Sequence, residues 1–338
     1  MSKETILVTG GAGFIGSNFI RYILSAEDIN IINLDALTYA GNLENLADIQ
    51  SNPNYKFVHG NIQNKELVKY VCQLYNVNGI INFAAESHVD RSILSAAPFV
   101  ETNITGTLIL LEVARELNIQ RFLQISTDEV YGSLGKDGLF TEKTPLSPNS
   151  PYSASKTSAD LLVNAFVHTY GFPGLITRCS NNYGPYQFPE KLIPLMILNA
   201  LENKPLPVYG DGLNVRDWIH VLDHCSGIWT VYRKGRIGEV YNIGGSNEKT
   251  NIEIVKLILN LLGKPESLIQ YVKDRPGHDR RYAIDSTKIE TELGWRRQIP
   301  FEQGIKDTIQ WYIDNPDWSR NVRDGSYREY YQKQYGNY

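Results

Sequence analysis

The sequence predicts an α/β protein built on a doubly wound parallel β-sheet, with a smaller mixed α/β lobe. Through the first half of the chain, short apolar runs rich in β-branched residues alternate with stretches of helical periodicity. A glycine-rich turn joins the first apolar run to the first helical stretch. After about residue 185, closely spaced prolines interrupt the alternation, and the second lobe is expected there.

The first elements predict a dinucleotide site. The run Thr5–Thr9 leads into Gly10-Gly-Ala-Gly-Phe-Ile-Gly16, and a helical pattern follows over 17–24. Glycines allow a tight turn and close backbone approach, and the helix N-terminus then attracts a pyrophosphate. Asp35 ends the next apolar run about 20 positions after Gly16, where a carboxylate binds ribose hydroxyls and repels a 2′-phosphate. The pattern therefore predicts a Rossmann-type domain that prefers NAD to NADP, although Asp alone is also common in turns.

The later elements of the first half continue the alternation. Further strands are predicted over 56–59, 79–83, 122–126 and 175–178, and helices over 65–75, 98–117 and 152–170. Parallel strands present their carboxyl ends at one edge of the sheet. The segments that follow the strands are therefore expected to meet the glycine turn in a single cleft; they are 84–91, 127–131 and 181–183.

The second half is more irregular. A helix-like stretch over 217–232 and an apolar run over 239–243 are expected to return to the main sheet. This gives an NAD-binding domain of residues 1–185 plus about 217–245. A smaller substrate-binding lobe then comprises about 186–216 and 246–315, and 316–338 form a C-terminal tail. The last dozen residues of this tail are rich in tyrosine; we interpret them as a frayed or loosely packed terminus, and a docking segment is the alternative.

Composition and charge exclude several classes of protein. The 338 residues include 42% hydrophobic and 21% charged residues, as is ordinary for a globular enzyme. A net charge of −4 does not indicate binding to nucleic acid or to an anionic membrane. No apolar run approaches the ~20 residues of a membrane span. The first strand begins almost at the N-terminus, which leaves no room for a signal peptide, so the cytoplasm is expected.

Metal binding and disulfides are not predicted. The three cysteines, Cys72, Cys179 and Cys225, are too widely spaced for a zinc pattern and odd in number. His220 and His224 are four positions apart, but no glutamate follows the first histidine as the HExxH motif requires.

Two groups of residues predict the chemistry. Tyr152 and Lys156 share one helix face, where the ammonium, like the positive ring of an oxidised nicotinamide, would favour the phenolate and make it a base for an alcohol. Asp128 and Glu129 follow a strand that ends in the same cleft. Oxidation alone needs one acid or base, so the added carboxyls indicate a second proton-transfer reaction. A solvated acidic loop is the alternative reading of this pair.

Five longer motifs give a specific resemblance. They are Phe83-Ala-Ala-Glu-Ser-His-Val-Asp-Arg91, Ser126-Thr-Asp-Glu-Val-Tyr-Gly132, Cys179-Ser-Asn-Asn-Tyr-Gly-Pro185, Arg216-Asp-Trp-Ile-His220 and Asp274-Arg-Pro-Gly-His278. From about residue 5 to about 310 the chain resembles the extended short-chain dehydrogenases/reductases, and among them the dTDP-glucose 4,6-dehydratases. Sugar 4-epimerases typically have a small residue in place of Asp128 and lack the acid at Glu129. In GDP-mannose dehydratases the residues at these positions resemble Thr-Ser-Glu. The Asp-Glu pair is therefore the discriminating feature.

The resemblance implies a role for each residue. Tyr152 would take the proton of the glucose C4 hydroxyl, with Thr127 hydrogen-bonded to the same oxygen, as hydride passes to NAD. Glu129 would then remove the C5 proton while Asp128 protonates the departing C6 hydroxyl. Hydride return to C6 and reprotonation of C5 give the 4-keto-6-deoxy sugar, so NAD would be recycled in each turnover and stay tightly bound.

The resemblance also implies the binding residues. The catalytic set is Thr127, Asp128, Glu129, Tyr152 and Lys156. The NAD set is Gly10, Gly13, Phe14, Ile15, Gly16, Asp35, Ala36, Leu37, Thr38, Asn61, Ile62, Ala84, Ala85, Ser87, Thr102, Tyr152, Lys156 and Asn182. The set for the substrate, dTDP-glucose, is Ser87, Thr127, Asn181, Lys191, Leu192, Pro207, Tyr209, Arg216, Asn251, Arg275 and His278, in which the two arginines could clamp a diphosphate. Asn61 departs from the family, which commonly has Asp beside the adenine, but its side-chain oxygen can still accept a hydrogen bond.

Other assignments stay open at this point. A UDP-sugar 4-epimerase or decarboxylase is the alternative enzyme, and a non-catalytic dinucleotide sensor should have lost at least one of the five catalytic residues. His88, Asp90 and Arg91 could contact ligand or form an internal polar network. The family implies a homodimer through a four-helix seam, although the same residues could be ordinary core; they are Leu108, Leu111, Leu161, Leu162 and Phe166.

Overall fold

The computed structural model describes residues 3–323. Its strands are β1 (Thr5–Thr9), β2 (Asn30–Asp35), β3 (Tyr55–His59), β4 (Gly79–Asn82), β5 (Arg121–Thr127), β6 (Gly174–Cys179), β7 (Asn181–Tyr183), β8 (Leu206–Tyr209), β9 (Val215–His220), β10 (Val240–Ile243), β11 (Glu248–Thr250) and β12 (Ile269–Val272).

Seven of these strands form the central sheet, in the order β10-β6-β5-β4-β1-β2-β3. Every neighbouring pair is parallel. The predicted doubly wound parallel sheet is confirmed. The strand order reverses between β1 and β4, and in such sheets the ligand crevice lies outside the carboxyl ends of the strands at this reversal.

Helices cover both faces of the central sheet. They are α1 (Phe14–Ala26), α2 (Lys65–Leu74), α3 (Val89–Leu94), α4 (Ala97–Phe99), α5 (Thr107–Glu116), α6 (Pro151–Tyr170), α7 (Leu192–Leu201), α8 (Val221–Lys234), α9 (Asn251–Leu262), α10 (Thr287–Leu293), α11 (Phe301–Asp314) and α12 (Pro316–Arg323). One apolar core joins α1 and α8 to the sheet, and a second joins α2, α5 and α6 to its other face. In residues 3–323, none of the helices combines the length and apolarity that a membrane span requires.

Two small sheets belong to the second half of the chain. One has the order β11-β9-β7, and the other pairs β12 with β8 in parallel. A separate apolar core lies between α7, α9 and α11. The loops of this region reach the carboxyl edge of the main sheet, so residues distant in sequence meet there.

The predicted helix over 217–232 was partly wrong. Residues 215–220 form β9, whose neighbours are β7 and β11, and α8 begins only at Val221, where the His220 side chain accepts a hydrogen bond from Leu222 N. In β9, the buried Arg216, Asp217 and Trp218 make tertiary contacts that a helix would not allow. The run ending at Ile243 does join the main sheet, as β10 beside β6.

The predicted helix over 98–117 is interrupted by a wide turn. Residues Val100–Gly106 have π-helical hydrogen bonds between α4 and α5. The buried Asn103 accepts from Glu86 N (2.9 Å) and donates to Glu86 O (3.0 Å) and to Ser155 Oγ (2.8 Å). The wide turn thus fixes the loop after β4, in keeping with the frequency of such turns at functional sites.

The C-terminal part of the described chain packs on the body of the protein. Trp318 of α12 is buried, and its Nε1 donates to Asn45 Oδ1 at 2.8 Å. The tyrosines of the predicted tail, Tyr327 to Tyr338, lie outside the described residues.

Candidate active site

The glycine turn has the geometry of a phosphate cradle. Gly10 has a φ of +70°, and a Cβ there would lie 2.6 Å from Ala84 N, so only glycine fits. A Cβ on Gly16 would lie 2.4 Å from Gly10 O. Helix α1 begins after Gly13 with neither a side-chain cap nor an acidic residue in its first turn. Its first N–H groups are therefore available to an anion such as the pyrophosphate of NAD.

Asp35 closes this cradle at the end of β2. One carboxylate oxygen accepts from Ala12 N (2.8 Å) and the other from Leu37 N (2.8 Å). Burial raises the pKa of Asp35, and the two backbone N–H groups counteract that rise. Each oxygen keeps a lone pair, so the carboxylate can accept from ribose hydroxyls while it fixes the glycine turn. These features fit an adenosine ribose with a free 2′-hydroxyl.

Most of the residues predicted to hold NAD line one cavity at the carboxyl edge of the sheet. They are Gly10, Gly13, Phe14, Ile15, Gly16, Asp35, Ala36, Thr38, Asn61, Ile62, Ala84, Ala85, Ser87, Thr102, Tyr152, Lys156 and Asn182. Leu37 does not line it, because its side chain packs against the apolar core beside α1. The Asn61 oxygen already accepts from Gln63 N (2.9 Å), leaving one lone pair for a ligand.

The five predicted catalytic residues line the same cavity. Thr127 ends β5, and its hydroxyl accepts from Glu129 N (3.2 Å), which starts a short 3₁₀ turn over Asp128–Tyr131. This cap turns both carboxyl side chains toward the ligand space. Asp128 Oδ1 accepts from the Thr127 hydroxyl (3.3 Å), whereas its Oδ2 is buried and has no hydrogen-bond partner among residues 3–323.

The two neighbouring carboxyls have different electrostatic environments. Burial raises the pKa of Asp128 well above its usual value, and the charges of Glu129 and Asp217 raise it further. Burial also raises the pKa of Glu129, but the cations Arg275, Arg216 and Lys191 oppose this rise. Asp128 therefore holds its proton the more strongly of the two, as an acid beside a base requires.

Tyr152 and Lys156 are both buried on α6, and each has its own electrostatic surroundings. Burial raises the pKa of Tyr152 well above its usual value, and the charge of Glu129 adds to this rise. Lys156 is buried on the same face of α6, but its Nζ donates to Ile125 O at 2.7 Å, and burial lowers its own pKa. In the chain without NAD, desolvation and Glu129 favour the protonated phenol. The favouring of the phenolate by Lys156 together with an oxidised nicotinamide stays a prediction.

The predicted substrate residues extend from this cavity into the lobe. Four of them line the cavity itself: Ser87, Thr127, Asn181 and Lys191. Lys191 donates to Ser87 O at 2.8 Å, which joins the loop before α7 to the loop after β4. The other seven lie outside the cavity lining, in the second half of the chain: Leu192, Pro207, Tyr209, Arg216, Asn251, Arg275 and His278.

Arg216 is held at the boundary between the two parts. It is buried, donates to Val215 O (2.8 Å) and Asp279 O (2.9 Å), and stacks over the Tyr282 ring with its carbon 4.4 Å from the ring centre. Asn251 begins α9, and its side-chain oxygen is buried without a hydrogen-bond partner in the described part of the chain. Both can bind a polar ligand, one as a cation and one as an acceptor.

Several residues of the cavity lining were not predicted from the sequence. They are Leu34, Ala40, Gly41, Gly60, Phe83, Ile125, Ser126, Cys179, Ser180, Gln187, Phe188 and Glu190. Phe83, Ser126, Cys179 and Ser180 lie inside the five motifs and could have been chosen from them. Gln187, Phe188 and Glu190 follow prolines in an irregular segment, where no periodicity indicates which side chains point toward the cavity.

The histidines singled out in the sequence have structural partners. His224 is fully buried, and its Nδ1 lies 2.8 Å from Asn182 Oδ1. The His220 Nδ1 caps α8. Among residues 3–323, no group of three His, Cys, Asp or Glu side chains is arranged to hold a metal ion.

Comparison with known proteins gives a close match over nearly the whole chain. The family model for GDP-mannose 4,6 dehydratase matches residues 7–308. The dTDP-glucose 4,6-dehydratase of Xanthomonas campestris is 56% identical, with 96% of this chain and 97% of that protein covered. The enzyme of the same name from Neisseria meningitidis is 54% identical over 96% of this chain and 97% of its own length.

The chain belongs to the dTDP-glucose 4,6-dehydratase family.

Solved structures agree with this family. The Bacillus anthracis dTDP-glucose 4,6-dehydratase, solved in complex with NAD, is 58% identical and superposes with a TM-score of 0.89, covering 94% of this chain and 99% of that one. The Streptomyces venezuelae enzyme, with NAD and TYD bound, is 50% identical, with a TM-score of 0.92 and the same coverage. A UDP-glucose 4-epimerase of Thermotoga maritima shares the fold with a TM-score of 0.86, and 92% of this chain and 99% of that one are covered. Its sequence is only 30% identical.

Proposed function

We propose that this chain is an NAD-dependent hydro-lyase that converts dTDP-glucose to dTDP-4-keto-6-deoxyglucose. The observation that carries the proposal is one cavity that combines the glycine cradle, Tyr152 with Lys156, and the Asp128-Glu129 pair. An epimerase has no use for an added acid and base. Relatives named dTDP-glucose 4,6-dehydratase at 50–58% identity support the same substrate.

Tyr152 acts as the base for the C4 hydroxyl in this proposal. Its phenol is buried at the cavity floor beside the Thr127 hydroxyl, which lowers the pKa of Tyr152 against the effects of burial and Glu129. Thr127 can hold the same sugar oxygen and orient it toward Tyr152. NAD, when bound in the cradle, would supply the acceptor for the C4 hydride and its return to C6. Lys156, whose Nζ donates to Ile125 O, would also donate to the nicotinamide ribose.

Asp128 and Glu129 carry out the elimination of water in this proposal. Glu129 is the base for the C5 proton, because Arg275, Arg216 and Lys191 favour its charged form. Asp128 is the acid for the C6 hydroxyl, because its burial and the neighbouring charges favour the protonated form. Its unpartnered Oδ2 is the oxygen from which the proton is donated.

The assembly belongs to the same proposal. We infer a homodimer whose seam is made by α5, α6 and the wide turn before α5 from two copies. The domain division at about residues 185, 217 and 245 is retained as a proposal, with α12 counted in the body since Trp318 is buried. The cytoplasm stays a prediction from the sequence.

One experiment separates the proposed function from its alternatives. The purified protein is incubated with dTDP-glucose without added NAD, and the product is analysed by mass and by nicotinamide absorbance. A product lighter by one water, with no net NADH, is expected, because hydride is removed and returned in each turnover. A product of unchanged mass would indicate an epimerase, stoichiometric NADH would indicate a simple dehydrogenase, and no turnover by NAD-loaded protein would indicate a sensor.

A further inference from the structure

Asp90 is a buried carboxylate in the first turn of α3 that holds two side chains from the lobe. It is only 6% exposed. Its Oδ1 accepts from Arg275 Nη1 at 3.1 Å, and its Oδ2 accepts from the Tyr209 hydroxyl at 3.1 Å. The partners lie 185 and 119 positions away in the sequence. Asp90 itself does not line the ligand cavity.

The lobe brings these two partners together through its two-stranded sheet. Tyr209 ends β8 and pairs with Val272, the last residue of β12. Arg275 follows β12 shortly afterwards, so both side chains leave the same end of this sheet and face α3. His278 adds an edge-on contact to the Tyr209 ring, with 6.2 Å between ring centres.

The charges explain why a carboxylate occupies this position. A buried carboxylate is costly unless it is paired, and Arg275 supplies the opposite charge while Tyr209 supplies a second donor. The same guanidinium acts on Glu129, whose pKa it lowers against the effect of burial. Asp90 therefore fixes the position of a cation that faces both the predicted diphosphate and the proposed base.

We propose that Asp90 is a positioning residue for the nucleotide sugar, one that orders Tyr209 and Arg275 before the diphosphate arrives. A free arginine would lose rotamer freedom on binding, and this cost lowers affinity. Holding the side chain in the unliganded protein removes part of the cost. The inference rests on the proposed function, because it takes Tyr209 and Arg275 as ligands of the nucleotide.

Asp90→Asn is the informative variant. The amide keeps the shape and one acceptor, but its NH₂ group faces a donor and cannot accept from it. Loss of one charge-assisted bond predicts a KM for dTDP-glucose that rises about tenfold with kcat within about twofold of wild type. That split indicates lost uniform binding, which a general folding defect would not produce.

Two controls make the test specific. Asp211→Asn removes an exposed carboxylate of the same lobe, paired with Arg280, and is expected to keep the wild-type KM. Tyr209→Phe removes one of the two donors, so Asp90→Asn combined with Tyr209→Phe should raise KM by less than the product of the single effects. NAD content and melting temperature are measured for every variant to confirm folding.

Calorimetric binding of dTDP gives a readout that does not depend on turnover. Asp90→Asn should weaken dTDP binding about as much as it raises KM. An unchanged or lower KM together with unchanged dTDP affinity, in a folded NAD-loaded variant, would overturn the role of Asp90. Failure of the wild type to dehydrate dTDP-glucose would instead overturn the proposed function, and dTDP binding would still test Asp90.

Discussion

At the scale of single residues, the chemistry depends on how two adjacent carboxyls are surrounded. Asp128 and Glu129 are neighbours in sequence and have similar pKa values in water. Burial and like charge favour the proton on Asp128, whereas three cations favour the charged form of Glu129. The same pair thereby offers an acid and a base at one pH.

The division of roles predicts the behaviour of Glu129→Gln. The variant should oxidise C4, because Tyr152 is untouched, but should stop before loss of water, with the dehydration rate reduced by at least about 100-fold. Substrate addition should then give a lasting absorbance of reduced nicotinamide. Tyr152→Phe is the control and should show neither the absorbance nor dehydration. Dehydration by Glu129→Gln at near the wild-type rate would exclude Glu129 as the base.

The same variant should change the pH dependence of the first step. The charge of Glu129 helps to raise the pKa of Tyr152, so its removal should lower that pKa. Phenolate then forms at lower pH, and the midpoint of the rate of C4 oxidation should move to lower pH. The first-turnover rate, followed by nicotinamide absorbance across pH in both proteins, measures this midpoint. A midpoint that stays fixed or rises would mean that Glu129 does not act on Tyr152.

At the scale of elements, two loops beside the cavity are joined by side chains that are partly or fully buried. The Tyr39 ring, on the loop after β2, lies under the Arg91 guanidinium, with 3.9 Å from its carbon to the ring centre. Tyr39 also meets Phe188 edge-on, with 5.6 Å between ring centres. Arg91 Nε lies 3.5 Å from Glu190 Oε2. A loop from the first half of the chain and a loop from the second half are therefore held together next to the glycine turn.

Glu190 makes the stability of this junction pH-dependent. Burial raises the pKa of Glu190 from 4.5 to about 7. A carboxyl whose pKa is raised by folding stabilises the folded state below its unfolded pKa, and that contribution is lost as pH rises through its folded pKa. As pH rises from 4.5 to about 7, the free energy of unfolding of the wild type should therefore fall by up to about 3 kcal/mol relative to that of Glu190→Gln.

Melting temperatures across this pH range measure the effect. The slope of melting temperature against pH should be less negative, or more positive, for Glu190→Gln than for the wild type at equal NAD content. Glu302→Gln is the matched control, because this α11 carboxyl is solvent-exposed. Identical slopes for wild type and Glu190→Gln would show that folding does not raise the pKa of Glu190.

At the scale of the whole molecule, α6 has an inner and an outer face of different character. Its inner face carries Tyr152 and Lys156, while Leu161 on its outer face is 54% exposed between the exposed Ala154 and Ala165. Of the other residues predicted for the seam, Leu111 is fully buried in the core, and Leu162 and Phe166 pack against that core. The outer stripe of small and apolar residues is thus what a second copy would cover.

Leu161→Glu should convert the proposed dimer to a monomer. A charge on each side of a two-fold seam would be buried against its own copy, which is strongly unfavourable. Light scattering coupled to size-exclusion chromatography should give half of the wild-type mass. Ile313→Glu places the same charge on an exposed aliphatic position of α11 and should leave the mass unchanged. A wild-type mass for Leu161→Glu would exclude α6 from the seam.

Local patterns in the sequence were sufficient to predict the central sheet and the preference for NAD. Apolar runs, the glycine turn and Asp35 act over short distances, so strand, turn and helix could be predicted with the cleft that they form. The Tyr152/Lys156 spacing and the Asp128-Glu129 pair likewise predicted which side chains would meet. The stretch 217–232 was misjudged because the contacts that make 215–220 a strand come from β7 and β11, both distant in sequence.

Only the tertiary structure decided how those side chains behave. The pKa of Tyr152 rises because of burial and the charge of Glu129, while Lys156 donates to Ile125 O, and sequence spacing contains no information on burial. The surroundings of Asp90 could not be predicted from spacing either, because its partners Tyr209 and Arg275 lie more than 100 positions away in the sequence. Residue type and spacing determined which groups could react, whereas desolvation and long-range packing determined their protonation and orientation.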